Sequence, residues 1–472
     1  MAFVPVPGFA DQTYRMRSQN LAVDRAINCY PGRIETGTGK GGKFLIGRPG
    51  LSTFATPTTG TGRALWAGDE RMFGVVGTKS IEVSSGGAVT VLGDIGSGSS
   101  PCTIVTNNGT QLATLNPDTG ILYVDTGAGP VAVAAQPTLF SAIAYLDGFL
   151  FGLAQDANAI FQSAQLDFTT WDVLDQATSV AANDRVATIY SDNQNLMVIG
   201  RKTTQFWYNS GAAGFVLQRI QGSFVQEGTC APFSPASVNG VLCMVTGSER
   251  GAGRVVAVRP GRFDEISTDA IAYQLQSYSN LGEIVGYAYQ SQGHDFYVIT
   301  IPSAATQLVY DFTENAWHER YSGNATTLTE SKAYLHCLTF DNKHYVMERA
   351  SGKIYLQSET LNQDDGTSFL RQRTSPVLYA NKRMSVMAFR TDQQIGDGSG
   401  TLGATLAASR DGGLSFDADR TVLSGANGLA GVVEWRNMGQ TTPRGFVAKV
   451  SWTGGSDLAC SGAWIDVRED AS

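Results

Sequence analysis

Short apolar runs separated by polar, Gly-bearing turns recur along most of this chain, and their spacing carries the first structural information. A polar turn followed by an apolar strand occurs seven times: Asp69-Glu-Arg-Met72, Asn108-Gly-Thr-Gln-Leu112, Leu146-Asp-Gly-Phe149, Asn193-Gln-Asn-Leu196, Asn239-Gly-Val241, Gly293-His-Asp-Phe296 and Asn342-Lys-His-Tyr345. The first strand residues, at 72, 112, 149, 196, 241, 296 and 345, lie 40, 37, 47, 45, 55 and 49 positions apart, a mean near 45.5. A four-stranded propeller blade takes about 40–50 residues, so the period fits one blade per repeat. A second strand follows, for example at 79–83, 120–124, 253–258, 307–310 and 352–356. A sheet of this kind cannot cover both of its apolar faces alone. It must stack beside copies of itself, and a ring is the natural closure.

Two details sharpen that expectation. Asp167-Phe-Thr-Thr-Trp171 is echoed by Asp311-Phe-Thr-Glu-Asn-Ala-Trp317, a polar turn leading to a Trp that would wedge between neighbouring blades. The last repeat is short, with about three strands between Tyr334 and Ser358, and a strand near Pro49-Gly-Leu-Ser-Thr-Phe54 would complete it and latch the ring. The count is then about seven blades, with six or eight also compatible. A short helix is expected at 267–275, capped by Ser267 or Thr268.

Outside the repeat, residues before about Arg48 read as an irregular arm or platform. After Asn362-Gln-Asp-Asp-Gly366 the phase is lost, and alternating strands run through 383–390, 404–409, 431–435, 445–452 and 460–467. That alternation fits a β-sandwich. The expected fold is all-β: an arm at 1–48, a propeller at 49–361 and a C-terminal β-sandwich-like domain at 362–472.

Composition agrees. Of 472 residues 54 are Gly and only 16% are charged, against roughly 25% in an average globular protein. The formal net charge of −8 leaves no basic stripe for gripping nucleic acid, although an acidic wall would let DNA slide past. Six dispersed cysteines, Cys29, Cys102, Cys230, Cys243, Cys337 and Cys460, lack metal-binding or disulfide-framework spacing and read as buried free thiols in a reducing cytoplasm. The first residues show no secretory pattern and no apolar run is long enough for a membrane span.

Candidate chemistry is sparse. Gly37-Thr-Gly-Lys-Gly-Gly42-Lys43 approaches a phosphate-binding loop, but Phe44 stands where Ser or Thr must hold Mg²⁺, and the flanks are wrong. Ser409-Arg-Asp411-Gly-Gly413-Leu-Ser415-Phe416 resembles the Asp-box turn of sialidase-type propellers, a structural hairpin. His294, His318, His336 and His344 are scattered, and His318-Glu319-Arg320 has no second catalytic group at a recognisable spacing. His294 and His344 fall at nearly the same position of two blade turns, which favours a turn role. Phe206-Trp207-Tyr208, Tyr287-Ala-Tyr289 and Phe296-Tyr297 read as strand core before ligand platform. No catalytic, cofactor-binding or metal-ligating residue is assigned, no cofactor is expected, and the chain is not expected to be an enzyme.

Several segments resemble the podovirus tail-nozzle family, also called packaged-DNA stabilisation or tail accessory proteins. They are Arg25-Ala-Ile-Asn28-Cys-Tyr30-Pro31, Leu45-Ile-Gly-Arg48-Pro49-Gly50-Leu51, Gln205-Phe-Trp-Tyr-Asn-Ser-Gly211 and Gln218-Arg-Ile-Gln-Gly222-Ser-Phe-Val-Gln-Glu227-Gly-Thr-Cys230-Ala-Pro232. Ile266-Ser-Thr-Asp-Ala-Ile271, Tyr289-Gln-Ser-Gln-Gly293-His294-Asp-Phe-Tyr297 and Val309-Tyr-Asp311-Phe-Thr-Glu-Asn-Ala-Trp317-His-Glu-Arg320 continue the series. The resemblance covers Arg25 to Arg320 and fits the C-terminal region more loosely. It implies a bacteriophage virion protein assembled in the host cytoplasm: a homohexameric ring below the portal and adaptor rings. Such a ring would line the DNA exit channel, retain packaged DNA without reading its sequence, and dock a tail needle or plug and spikes or fibres. A glycan-binding or glycan-hydrolysing, sialidase-like propeller is the alternative.

Overall fold

A computed structural model describes residues 3–15, 22–34, 42–68, 70–107, 109–179, 184–192, 194–248, 251–324, 326–337, 339–379, 382–394, 403–423, 430–453 and 459–469. Among these residues seven four-stranded antiparallel sheets follow one another as blades. Blades 1 to 6 span 62–94, 103–132, 140–178, 186–219, 236–265 and 285–320. Blade 7 takes three strands from 335–358 and its fourth from Gly50–Ala55, which pairs antiparallel with Ile354–Ser358. The latch is where the sequence placed it. The seven repeat positions all fall in the second strand of their blades.

The turns entering those second strands explain the recurring Asn, Asp and Gly. Two-residue loops join Leu146 to Phe149, Val238 to Val241 and Ser291 to His294. Their central residues, Asp147 and Gly148, Asn239 and Gly240, and Gln292 and Gly293, all have positive φ, between 49° and 89°. Such hairpins need that conformation to match the strand twist, and Asn, Asp and Gly adopt it at least cost. Asp69, Asn108 and Asn193, which open three of the repeats, lie outside the described residues.

Each blade is buried on both faces. In the strand Asn195–Gly200, Leu196 and Val198 pack toward blade 3 while Met197 and Ile199 pack toward blade 5. The same alternation puts Met72 against blade 7 and Phe73 against blade 2. Double burial removes the usual polar face and leaves near-continuous apolar strands. Trp171 wedges between blades 2 and 3, and Trp317 between blades 5 and 6, where its indole N–H donates to Ile266 O at 2.9 Å. The helix Asp269–Gln276 follows blade 5 and is capped by Thr268.

The N-terminal segment departs from the expected irregular arm. Arg25–Ile27, Cys29–Arg33 and Lys43–Gly47 are strands of the chain's own terminal sandwich. One sandwich sheet grows from blade 6: Ala316–Arg320 is followed laterally by Arg25–Ile27, Arg371–Thr374, Val447–Trp452, Gly403–Ser409 and Arg420–Leu423. The other runs Cys29–Arg33, Lys43–Gly47, Ala459–Glu469, Met384–Gln394 and Ala430–Gln440, with Val4–Pro5 beside Ala459–Glu469. Phe9, Cys29, Phe389, Trp435, Phe446 and Val450 meet in the core between them. The partners of these arm strands lie hundreds of residues away, Ala26 opposite Arg373 and Leu45 opposite Cys460, so no local periodicity announces them.

Candidate functional site at the propeller–sandwich junction

The junction is built on two of the segments singled out in the sequence. Asn28 stands between two strands with φ 56°, a left-handed conformation that Asn tolerates better than most residues. Its amide donates to Leu370 O at 2.7 Å, and its side-chain oxygen accepts from Tyr321 N and from Arg48 Nε, both at 2.9 Å. Arg48 is buried, and all five of its donors are placed. Nη1 bonds Pro49 O at 2.8 Å and Asp364 Oδ1 at 3.0 Å, and Nη2 bonds Tyr321 O at 2.9 Å and Asp364 Oδ2 at 2.5 Å. Its guanidinium lies 3.7 Å above the centre of the Phe369 ring. The planar fork of Arg suits this arrangement, whereas Lys could supply neither the bidentate pair nor the stack.

Arg25 repeats the device at the outer edge of blade 6, holding Glu319 through Nε at 2.7 Å and Nη2 at 2.5 Å. Tyr321 Oη donates to the same carboxylate at 2.8 Å. Glu319 of the sequence triplet His318-Glu319-Arg320 is therefore engaged as a clamp partner of Arg25 and Tyr321. The run Gln218–Pro232 plays a similar sealing role between blades 4 and 5. There buried Glu227 accepts from Thr246 Oγ1 at 2.7 Å and Arg254 Nη2 at 3.0 Å.

The four histidines, dispersed in sequence, converge between blades 6 and 7. His294 and His344 each open the second strand of their blade, as their matching turn positions suggested. His336 and His344 are 3.2 Å apart, and His336 stacks on Tyr287 with ring centres 5.5 Å apart. Tyr30, from the N-terminal segment, stacks on His318 at 5.4 Å and meets His294 edge-on at 5.2 Å. Arg320, also buried, donates to Tyr289 Oη at 2.5 Å and to His318 Nε2 at 3.2 Å.

Burial, with the Arg320 charge second, holds the His318 imidazole well below its ordinary pKa. Burial likewise takes His336 down to about 3, although that residue keeps some accessible surface. Burial also opposes charge on His294, but its 2.7 Å contact with Asp311 outweighs this and raises its pKa. Among the described residues no group of three His, Cys, Asp or Glu side chains is placed to hold a metal ion. The cluster packs blades together. Successive blades repeating a His at one position was the signal that could have revealed it.

The remaining candidates fall in turns, strands and blade interfaces, or outside the described residues. Asp411 Oδ1 accepts Leu414 N and Ser415 N, both at 3.0 Å, while Gly412 and Gly413 take φ of 77° and 95°, so the Asp-box segment is a tight hairpin turn. The phosphate-loop-like stretch lies outside the described residues up to position 41, and Lys43 pairs with Asp11 at 2.7 Å. Phe206 and Trp207 pack into opposite blade interfaces, leaving Tyr208 exposed. All six cysteines are free, and burial pushes the thiols of Cys102, Cys243, Cys337 and Cys460 up to about 12. No helix among the described residues is long and apolar enough to cross a membrane.

Comparison with known proteins gives one family. A model described as bacteriophage P22 Gp10, beta-propeller, matches residues 18–361. A search of curated protein sequences finds no match. Among solved structures, a streptogramin B lyase is similar at 11% identity and a TM-score of 0.45, over 66% of this chain and 98% of that one. BamB from Moraxella catarrhalis is similar at 11% identity and a TM-score of 0.39, over 71% and 98%. Neither likeness bears on activity. The family match covers every blade and both segments that build the junction, and by it this chain belongs to the bacteriophage P22 Gp10 family of β-propeller proteins.

Proposed function

We propose that this chain is a nozzle or hub subunit of a short-tailed phage tail, forming a homohexameric ring that lines the DNA exit channel and retains the packaged genome. Family membership supports the coarser statement, a structural protein of the phage tail and hence a virion component. In this reading the ring sits below the portal-adaptor ring, docks a needle or plug and the spikes or fibres, and is assembled in the host cytoplasm. The chain acts as a scaffold without catalysis or cofactor. Residues 49–361 form the propeller, and 1–48 and 362–472 act together as a second body.

The observation that carries this reading is the family match over a ring welded shut by buried clamps. Charge supports it as well. Residues 49–361 hold sixteen basic against twenty-seven acidic side chains, a net of −11, which would keep passing phosphates from adhering. The test is a phage carrying an early stop codon in this gene. Particles without the chain are expected to package DNA and then lose it, with retention restored when the chain is supplied in trans. Particles that keep their DNA and infect normally would refute the proposal.

A further inference from the structure

The outer strand of blade 3, Asp167–Thr178, is interrupted in an unusual way. Ser163 pairs with Trp171 and Phe161 with Gln176, so five steps on the outer strand face two on the inner one. The surplus, Asp172-Val173-Leu174-Asp175, is pushed outward as a bulge. Leu174 is 81% exposed, the highest value among the large hydrophobic side chains of the described residues, and Val173 beside it is 58% exposed. Between Lys79 and Arg185 the chain contains no Lys or Arg at all, against ten acidic residues. Blades 2 and 3 therefore present an acidic surface with an apolar knuckle at its edge.

The terminal body is the opposite. Residues 1–48 and 362–472 together carry eighteen basic and fifteen acidic side chains. At the sheet edge farthest from blade 6, the Asp-box turn raises Leu414, 45% exposed. The adjoining loop ties this turn to a second apolar residue, since Thr442 N bonds Arg410 O at 2.8 Å and Leu378 N bonds Phe446 O at 2.9 Å beside Tyr379, 65% exposed. Lys382 and Arg383, which follow Tyr379 in the chain, and Arg444, which packs beside Gly412 of the turn, are exposed. Nearby Asp411 is engaged by the turn and Asp417 by Arg410, and Asp419 is exposed.

Topology sets the two surfaces on opposite sides of one subunit. The sandwich grows from blade 6, beside blade 7, and blade 3 lies three steps round the ring from each of them, the largest separation seven blades allow. We propose that the acidic knuckle at 172–175 docks against the basic Tyr379–Leu414 patch of a second copy of this chain, head to tail. Unlike patches joined this way close into rings when the rotation permits. Apolar side chains meet at the centre, and opposite charges at the rim set register and capture rate. The inference rests on the ring reading above and specifies its interface.

The test is sedimentation equilibrium of the full-length chain over a concentration series at low and high salt. The wild type is expected to self-associate more weakly as salt rises. D172K/D175K and K382E/R383E/R444E are each expected to weaken association by about tenfold or more. Each variant keeps one native face, so an equimolar mixture of the two is expected to restore association by alternating charge-swapped contacts, which also shows that both are folded. A wild type that stays monomeric to its solubility limit overturns the interface, as do variants that associate like the wild type or a mixture that fails to recover. A salt-insensitive ring unaffected by both variants removes this interface but leaves the tail-ring reading standing. That reading fails separately, if particles lacking the chain retain their DNA.

Discussion

Arg48 and Asp364 show how much depends on single side chains here. Both are nearly inaccessible, and the pair is bidentate with every guanidinium donor placed. Removing one partner leaves an uncompensated buried charge, so Asp364→Ala is expected to destabilise the protein by about 3–5 kcal/mol. The exposed pair Lys343–Asp341 provides the contrast: Lys343→Ala should change stability by less than about 1 kcal/mol. Urea denaturation of both variants checks the difference, and equal losses would contradict it. His318 supplies a pH signature. Its folded pKa lies below the unfolded value because burial and Arg320 disfavour the charge. Its contribution is complete above about pH 6.5 and falls as pH drops, by up to about 1.4 kcal/mol per unit for this one group. His294, raised by Asp311, has the opposite sign. Between pH 7 and pH 5 the wild type should therefore lose more stability than His318→Phe, measured by chemical denaturation at each pH. An equal loss in both would remove His318 from the account.

Among the elements, the latch strand Gly50–Ala55 joins the ends of the ring. It pairs with Ile354–Ser358 on one side and meets Gln363–Asp364 on the other, so it is an interior strand despite its early place in the chain. Its amides should exchange with solvent only as slowly as those of central blade strands. Rapid exchange, as from a frayed terminus, would mean that the ring opens independently of its blades. Much of this level was legible in the sequence because it is local: the turn-and-strand repeat, the two wedging Trp residues, the Thr268 cap and the latch each leave a signal within a few residues. The arm strands were not legible. Their partners lie far along the chain, and Pro31 and Gly32 disguise a strand whose register is fixed by Leu45 and Phe44 opposite. The histidine cluster escaped for the same reason, since its members face one another only after blades 6 and 7 stack.

For the molecule as a whole, the two chain ends and the propeller form one connected structure, because the strand Arg25–Ile27 joins blade 6 to Arg371–Thr374. A fragment of residues 362–472 alone would lack Val4–Pro5, Arg25–Ile27, Cys29–Arg33 and Lys43–Gly47 and leave much of the sandwich core uncovered. It is expected to be unfolded by circular dichroism, and a cooperatively melting fragment would show that the N-terminal strands are dispensable. The central claim, that closed seven-bladed propellers with terminal sandwiches build a ring in the phage tail, is tested most directly by a cryo-electron microscopy map of the intact virion tail. The account predicts six copies in one ring, each a circle of seven sheets with its sandwich beside blade 6 and set against blade 3 of the next copy. A tail map without this chain, or one in which its sheets are not arranged radially, would contradict it.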